Sequence, residues 1–240
     1  MSRYQAALLG LGLLLMFLLY MGLPGPPKQT SQLGRGPNVT VLTGLTRGSS
    51  QIFYREVLPL QQTHRAKSCF SMGKHLIPTH GSSLGTLQLL SKRGYRAVAV
   101  DLPGKNPHIR VCTESGRVEL LEGVLRDLQL QNTVLVSPSL SGSYALPFLM
   151  QSHHQLCGFV PIAPTSTRNY AQEQFQAVKV PQLLSCMGNW TTPWARESLQ
   201  QLRHLPNHSV VKLHNAGHAC YLHKPEAFHL ALLAFLDHLP

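Results

Sequence analysis

Two short stretches carry residues whose types and spacing could do chemistry: Ser137-Pro138-Ser139-Leu140-Ser141-Gly142 and Asn215-Ala216-Gly217-His218. The first is a small-x-Ser-x-small turn between the β-branched run Thr133-Val134-Leu135-Val136 and a helical pattern over residues 144–150. A strand that turns sharply into a helix lifts a serine hydroxyl above the sheet, and small neighbours let the backbone bend without clash. This is the setting of a nucleophile elbow. Ser139 is then the candidate nucleophile, and the backbone N–H of Leu140 would face a developing oxyanion. Ser137 stands where such turns usually carry Gly. The competing reading is a Ser-rich loop in which Ser141 caps the helix.

A serine nucleophile needs a base, and 13 histidines make a lone histidine uninformative. His218 differs by its setting, just after an apolar run at 209–213 and before the last helical pattern. Hydrolases with a nucleophile elbow place their base there, in the chain order Ser, acid, His. His204, His208, His214, His223 and His229 read as surface or helix-capping residues.

The elements around these residues alternate. From Leu84 onward, short apolar runs follow helical patterns, as in an α/β sheet. Residues 84–92 read as a helix closed by Gly94, feeding a strand at 96–100 that ends in Asp101-Leu102-Pro103-Gly104. Residues 115–128 place Leu120, Leu121, Val124, Leu125 and Leu128 on one helical face. Residues 157–163 and 209–213 read as strands, and 225–239 as a closing amphipathic helix. With 240 residues, 43% of them hydrophobic, the chain is neither disordered nor collagen-like, and five spread cysteines do not make a disulfide scaffold.

Residues 6–23 form an almost unbroken apolar run with Arg3 before it and Lys28 and Arg35 after it. About 18 residues at ~1.5 Å each just span a hydrocarbon core of roughly 30 Å, so the run reads as an uncleaved signal anchor. A cleaved signal peptide and a buried helix compete with that reading, but the core is longer than a signal peptide's and no Ala-x-Ala follows. The flanking charges barely differ, so they do not fix orientation. The short amino-terminal tail favours a body on the far, luminal side. Residues 24–37 are a Pro/Gly-rich linker. Asn38-Val39-Thr40 then fits a glycosylation acceptor, as does Asn207-His208-Ser209 more weakly.

Four stretches together carry a family resemblance: residues 93–104, 137–142, Gly158-Phe159-Val160-Pro161-Ile162-Ala163-Pro164, and Asn215-Ala216-Gly217-His218-Ala219-Cys220-Tyr221-Leu222. They resemble the α/β-hydrolase superfamily and, more narrowly, the family of α/β-hydrolase domain-containing protein fourteen in its membrane-anchored form. The resemblance implies an α/β-hydrolase fold, a mostly parallel sheet flanked by helices, preceded by an N-terminal transmembrane helix. The domain plan is a tail (1–5), the anchor (6–23), the linker (24–37) and the hydrolase domain (38–240). It also implies a Ser-His-acid hydrolase with no metal or organic cofactor, acting on a small-molecule or protein acyl substrate such as an ester, thioester or amide. A fold-retaining, membrane-tethered binding protein without turnover is the alternative.

Two parts that the family requires are missing. The His-Gly loop that completes the oxyanion hole should precede Leu84, where the chain has Lys67-Ser68-Cys69-Phe70-Ser71-Met72-Gly73-Lys74-His75. The acid should end a strand before Ala195 as Gly-x-x-Asp, where the chain has Ser185-Cys186-Met187-Gly188-Asn189-Trp190-Thr191-Thr192. Thr191 occupies the acid position and cannot supply a charge. Asp101 ends a neighbouring strand, but not the one where this fold keeps its acid. Neither stretch reads as a good buried strand.

The genetic code accounts for both losses. Joining the third base of each codon to the first two of the next makes Trp190–Thr191 read GAC, which is Asp. Asn189–Trp190 must then read Leu and Met187–Gly188 must read Gly, which yields Gly-x-Leu-Asp. With TCN serines, Lys67 to Gly73 becomes a hydrophobic run, Val/Ile, then Leu/Val/Met, then two residues each Leu or Phe, ending in a residue that can be His and then a forced Gly. Segments 67–83 and 182–194 therefore regain both motifs under one shift, as expected of a frame-disturbed gene model or transcript. Segment 105–113 also departs from the family and yields no clean shifted reading. The shift bears on the formal charge of +11, which would ordinarily invite a nucleic acid as partner. The altered segments hold no Asp or Glu but do hold Lys67, Lys74, Lys105 and Arg110. The charge is thus partly their product, and no nucleic-acid reader motif appears.

Overall fold

The apolar runs at the centre of the chain fold as strands buried on both faces. In the computed structural model these are β4 (Arg96–Asp101), β5 (Thr133–Pro138) and β6 (Leu156–Ile162). Continuous Val, Ile and Ala runs suit a parallel sheet covered by helices on each side, because both faces of every strand meet apolar side chains. Strand alternation divides them. Val98, Val100, Leu135 and Phe159 join one core, with Val118, Leu121, Val124 and Leu125 of α2 (Glu114–Asp127) and Phe148 and Leu149 of α3 (Gly142–Ser152). Ala97, Ala99, Val134, Val136, Val160 and Ile162 join the other, with Leu87 and Leu90 of α1 (Ser82–Lys92) and Phe228, Leu232 and Leu236 of α7 (Pro225–Asp237).

The described residues are 39–48, 50–60, 68–73, 82–103, 113–180, 183–187 and 193–239. They belong to one compact unit, Val39–Pro240. The unit Met1–Asn38 lies outside them, and with it the expected anchor, the linker and Asn38. Among the described residues no helix is long and apolar enough to cross a membrane.

Among the described residues, β1 (Val41–Leu45), β2 (Phe53–Val57), β3 (Ser68–Gly73), β7 (Leu183–Met187) and β8 (His208–Lys212) join these three strands in one eight-stranded sheet, in the order β1-β2-β4-β3-β5-β6-β7-β8. β2 pairs antiparallel with both of its neighbours, β1 and β4, and the remaining pairs are parallel. The expected helix–strand alternation is present, with α4 (Gln172–Ala177) following β6 and α5 (Pro193–Leu202) following β7. α1 closes at Gly94, whose N–H bonds the Ser91 carbonyl at 3.0 Å, and Tyr95 N–H reaches Leu90 O at 3.0 Å. Thr113 caps α2 by accepting the Gly116 N–H at 3.1 Å, with Glu114 in the first turn and Arg126 in the last, both complementing the helix dipole.

The expectation for the two altered stretches needs correction. β3 (Ser68–Gly73) lies between β4 and β5, and β7 (Leu183–Met187) between β6 and β8 (His208–Lys212). Ladder bonds use backbone N–H and C=O groups that every non-proline residue carries. A slot with a partner on each side can therefore order a segment whose side-chain pattern alone predicts no strand.

Candidate active site

β5 ends at Pro138, at the carboxyl edge of the sheet, where open α/β folds bind ligands. Ser139 follows with φ +47°, in the left-handed region, a placement that costs a non-glycine residue about 1–3 kcal/mol. Such a backbone persists only when its surroundings hold it. The Ser139 carbonyl accepts the Thr165 N–H at 3.0 Å and the Thr165 hydroxyl at 3.3 Å. The Ser141 hydroxyl donates to Pro138 O, and the Ser143 hydroxyl donates to Leu140 O at 2.9 Å. At the start of α3, Tyr144 OH donates to Pro103 O at 2.8 Å, and Arg117 Nη1 donates to Ser143 O at 3.2 Å. Ser141 stands at the N-cap of α3 without a side-chain cap bond, its hydroxyl being turned to Pro138 O.

Gly142 explains why the elbow lies so tightly on the loop after β6. A Cβ there would sit 2.6 Å from Thr165 O and 2.9 Å from Thr165 N, both backbone atoms that cannot swing aside. Gly142→Ala is expected to lower stability by about 3 kcal/mol, the upper end of overpacking costs. The urea midpoint checks this, and an unchanged midpoint would mean that elbow and loop can part freely. Ser137, at the usual Gly position, is fully buried, and its hydroxyl has no hydrogen-bond partner among the described residues.

His218 reaches this elbow from the far side of the sheet. Its loop leaves β8 at the edge, and Leu213, Ala216 and Cys220 sink into the same core as Val136 and Ile162. That packing brings His218 Nε2 to 2.8 Å from Ser139 Oγ, across 79 residues of sequence. His218 is exposed as a residue and Ser139 half-buried. Desolvation of the ring pushes the His218 pKa below the usual histidine value, so the neutral form that can accept a proton is favoured.

The structure joins Ser139 with His218, and it leaves the Leu140 side chain 56% exposed beside them. Thr191 and Asn38 lie outside the described residues. Asp101 is engaged elsewhere: Arg55 Nη1 holds its two carboxylate oxygens at 3.2 and 3.3 Å, and β3 separates β4 from β5. Two of the histidines read as surface or helix-capping residues also make specific contacts, His223 while staying exposed and His229 while half-buried. His229 Nε2 lies 2.7 Å from Thr86 Oγ1, between α7 and α1. His223 Nδ1 accepts the Gly217 N–H at 2.9 Å, next to His218. Neither contact was readable from spacing, because each depends on how helices pack. Among the described residues no group of His, Cys, Asp and Glu could hold a metal ion.

No family model matches the chain. Among curated proteins it is 86% identical to Protein ABHD14A of Rattus norvegicus, covering all of both chains. It is 69% identical to Protein ABHD14A of Homo sapiens, covering all of this chain and 89% of that one. It is 40% identical to the "Putative protein-lysine deacylase ABHD14B" of Rattus norvegicus, over 80% of this chain and 93% of that one. Among solved structures, a CIB-like hydrolase from Thermoplasma acidophilum superposes with a TM-score of 0.70 at 16% identity, over 84% of this chain and all of that one. The carboxylesterase CesB of Bacillus subtilis gives 0.64 at 16% identity, over 82% and 92%. These structures carry the fold and the close relatives carry the kinship: the chain belongs to the ABHD14 family of the α/β-hydrolase superfamily.

Proposed function

We propose that the chain is a membrane-anchored serine hydrolase of acyl substrates, with Ser139 as nucleophile and His218 as base. The observation that carries this reading is the 2.8 Å contact between Ser139 Oγ and His218 Nε2 at a serine held with φ +47°. His218 Nε2 takes the hydroxyl proton as Oγ bonds to the carbonyl carbon of an ester, thioester or amide. The Leu140 N–H faces the resulting oxyanion. His218 then returns the proton to the leaving alcohol, thiol or amine, and water clears the acyl-enzyme by the same steps. The relative named as a protein-lysine deacylase fits within this class, since an acyl-lysine is an amide. The apolar run at 6–23 supports a single-pass anchor with the domain on the luminal side, where Asn38 could carry a glycan. The segment after β7 carries no carboxylate, which favours as second reading a fold-retaining binding protein.

A fluorophosphonate probe applied to membranes holding the full chain separates the two. Labelling that vanishes in Ser139→Ala supports the enzyme, and a folded chain with segments 67–83 and 182–194 restored that takes no label sinks it. The same labelling has a pH dependence with a definite sign. Protonated His218 cannot accept the serine proton, and its pKa lies below 6.5, the ordinary value. The labelling rate is therefore expected to hold through neutral pH and to fall about tenfold per unit only below pH 6.5. A fall that begins above 6.5 would show that another group limits the reaction.

A further inference from the structure

We propose that His223 is a positioning residue that sets the placement of His218 by holding the peptide before it. The inference rests on the reading of Ser139 and His218 given above. Ala216 and Cys220 are buried, with only 1% and 0% of their surface exposed, and the backbone between them forms a three-residue arch that carries exposed His218. α6 (Cys220–His223) starts at the end of this arch and turns the chain back on it, with Leu222 N–H and His223 N–H both reaching Ala219 O, at 2.9 and 3.1 Å. The His223 ring then lies against Gly217. Its Nδ1 accepts the Gly217 N–H at 2.9 Å, while a Cβ on Gly217 would stand 2.7 Å from Cε1 and 2.8 Å from Nδ1. Two separate features thus agree: the hydrogen bond fixes the peptide, and glycine is the residue that lets the ring come so close.

The chemistry of the contact names the form of the ring. A nitrogen that accepts an N–H bond carries its lone pair toward the donor, so the His223 proton is on Nε2. What the site needs at position 223 is an acceptor one bond beyond Cγ. Asparagine offers one in Oδ1; alanine offers none, and phenylalanine offers a ring of similar bulk without one. Displacement of a catalytic group by about 1 Å can cost about 10²-fold in rate, so a loosened arch acts on the chemical step.

The test uses the detergent-solubilised full chain and its His223→Ala, His223→Phe and His223→Asn variants. The expected result is a 10- to 100-fold fall in the limiting rate of fluorophosphonate labelling in the alanine and phenylalanine variants, with half-saturation within about twofold. His223→Asn should recover most of the rate. Nitrogen-15 spectra of the imidazoles provide a readout that needs no activity: His223 Nδ1 should be unprotonated, and the His218 ring resonances should shift in His223→Ala but not in His223→Asn. Equal labelling rates and unmoved His218 resonances in His223→Ala would overturn the proposal, as would a proton on His223 Nδ1. If the parent chain takes no label, the hydrolase reading fails by itself, and the His218 resonances still decide the role of His223. Should His223→Ala fail to fold, Gly217→Ala decides by the same readouts, since it drives the ring away while keeping its acceptor: unmoved His218 resonances there overturn the proposal.

Discussion

Reading codons 182–194 one frame over, so that Gly-x-Leu-Asp follows β7, is expected to raise turnover of an acyl ester by about 10⁴. The magnitude is the one that loss of the triad acid carries when the rest of the site keeps its geometry. The physical reason lies in the charge that His218 acquires. On the proposed reading, an imidazolium forms when Nε2 takes the Ser139 proton, at a ring whose burial already disfavours the charged state. A carboxylate at Nδ1 would stabilise that cation and hold the tautomer that leaves Nε2 free to accept. Residues 182–194 contain no Asp or Glu, and Asp101 is committed to Arg55. Restoring the His-Gly reading at the end of β3 in the same way should add roughly 10² to 10³, the contribution of one oxyanion donor. β3 and β7 end on the same carboxyl edge as β5, so both restored motifs would enter the face that Ser139 occupies. Initial rates on one ester across the three chains measure both steps. Equal rates in present and restored chains would remove the frame argument, as would genomic sequence that shows these codons uninterrupted in the present frame.

The parts of the fold that could be read in advance are those in which one side-chain pattern determines the outcome. β4, β5 and β6 announce themselves because burial on two faces requires an apolar residue at nearly every position. α2 and α7 do so through an apolar stripe, and Ser139 through a turn that only small residues allow. β3 and β7 could not be read this way, since neighbours on both sides supply their order. β1 was equally silent: at the sheet edge, Leu42 and Leu45 stay 44% and 54% exposed, so no alternation marks it. In the site, His218 was legible from Gly217-His218 after a strand. His223 was not, because an acceptor for a particular N–H is a property of the turn in α6 and leaves no trace in composition. Asp101 shows the opposite failure, a carboxylate at a strand end that looks available until Arg55 of the adjoining strand is seen to hold it.

In the restored chain, Ser139→Ala and His218→Ala should each lower kcat by about 10⁶, and the double variant should be no slower than either. On the proposed reading, His218 Nε2 takes the proton across the 2.8 Å contact as Ser139 Oγ bonds to the substrate's carbonyl carbon, so the two roles are one event. Removing the hydroxyl leaves the imidazole nothing to deprotonate, and removing the imidazole leaves a hydroxyl too weakly acidic to attack. Each single change therefore forfeits nearly the whole contribution of the pair, and the second change has little left to remove. The residual rate should still exceed that in water by about 10³ to 10⁴, because backbone donors and substrate binding survive both substitutions. Independent roles would give a double variant far slower than either single one. That outcome would mean that the 2.8 Å contact is structural and that the nucleophile or its base lies elsewhere on the carboxyl edge. Near-additive losses of only tenfold each would point the same way, toward a fold that binds its ligand without turning it over.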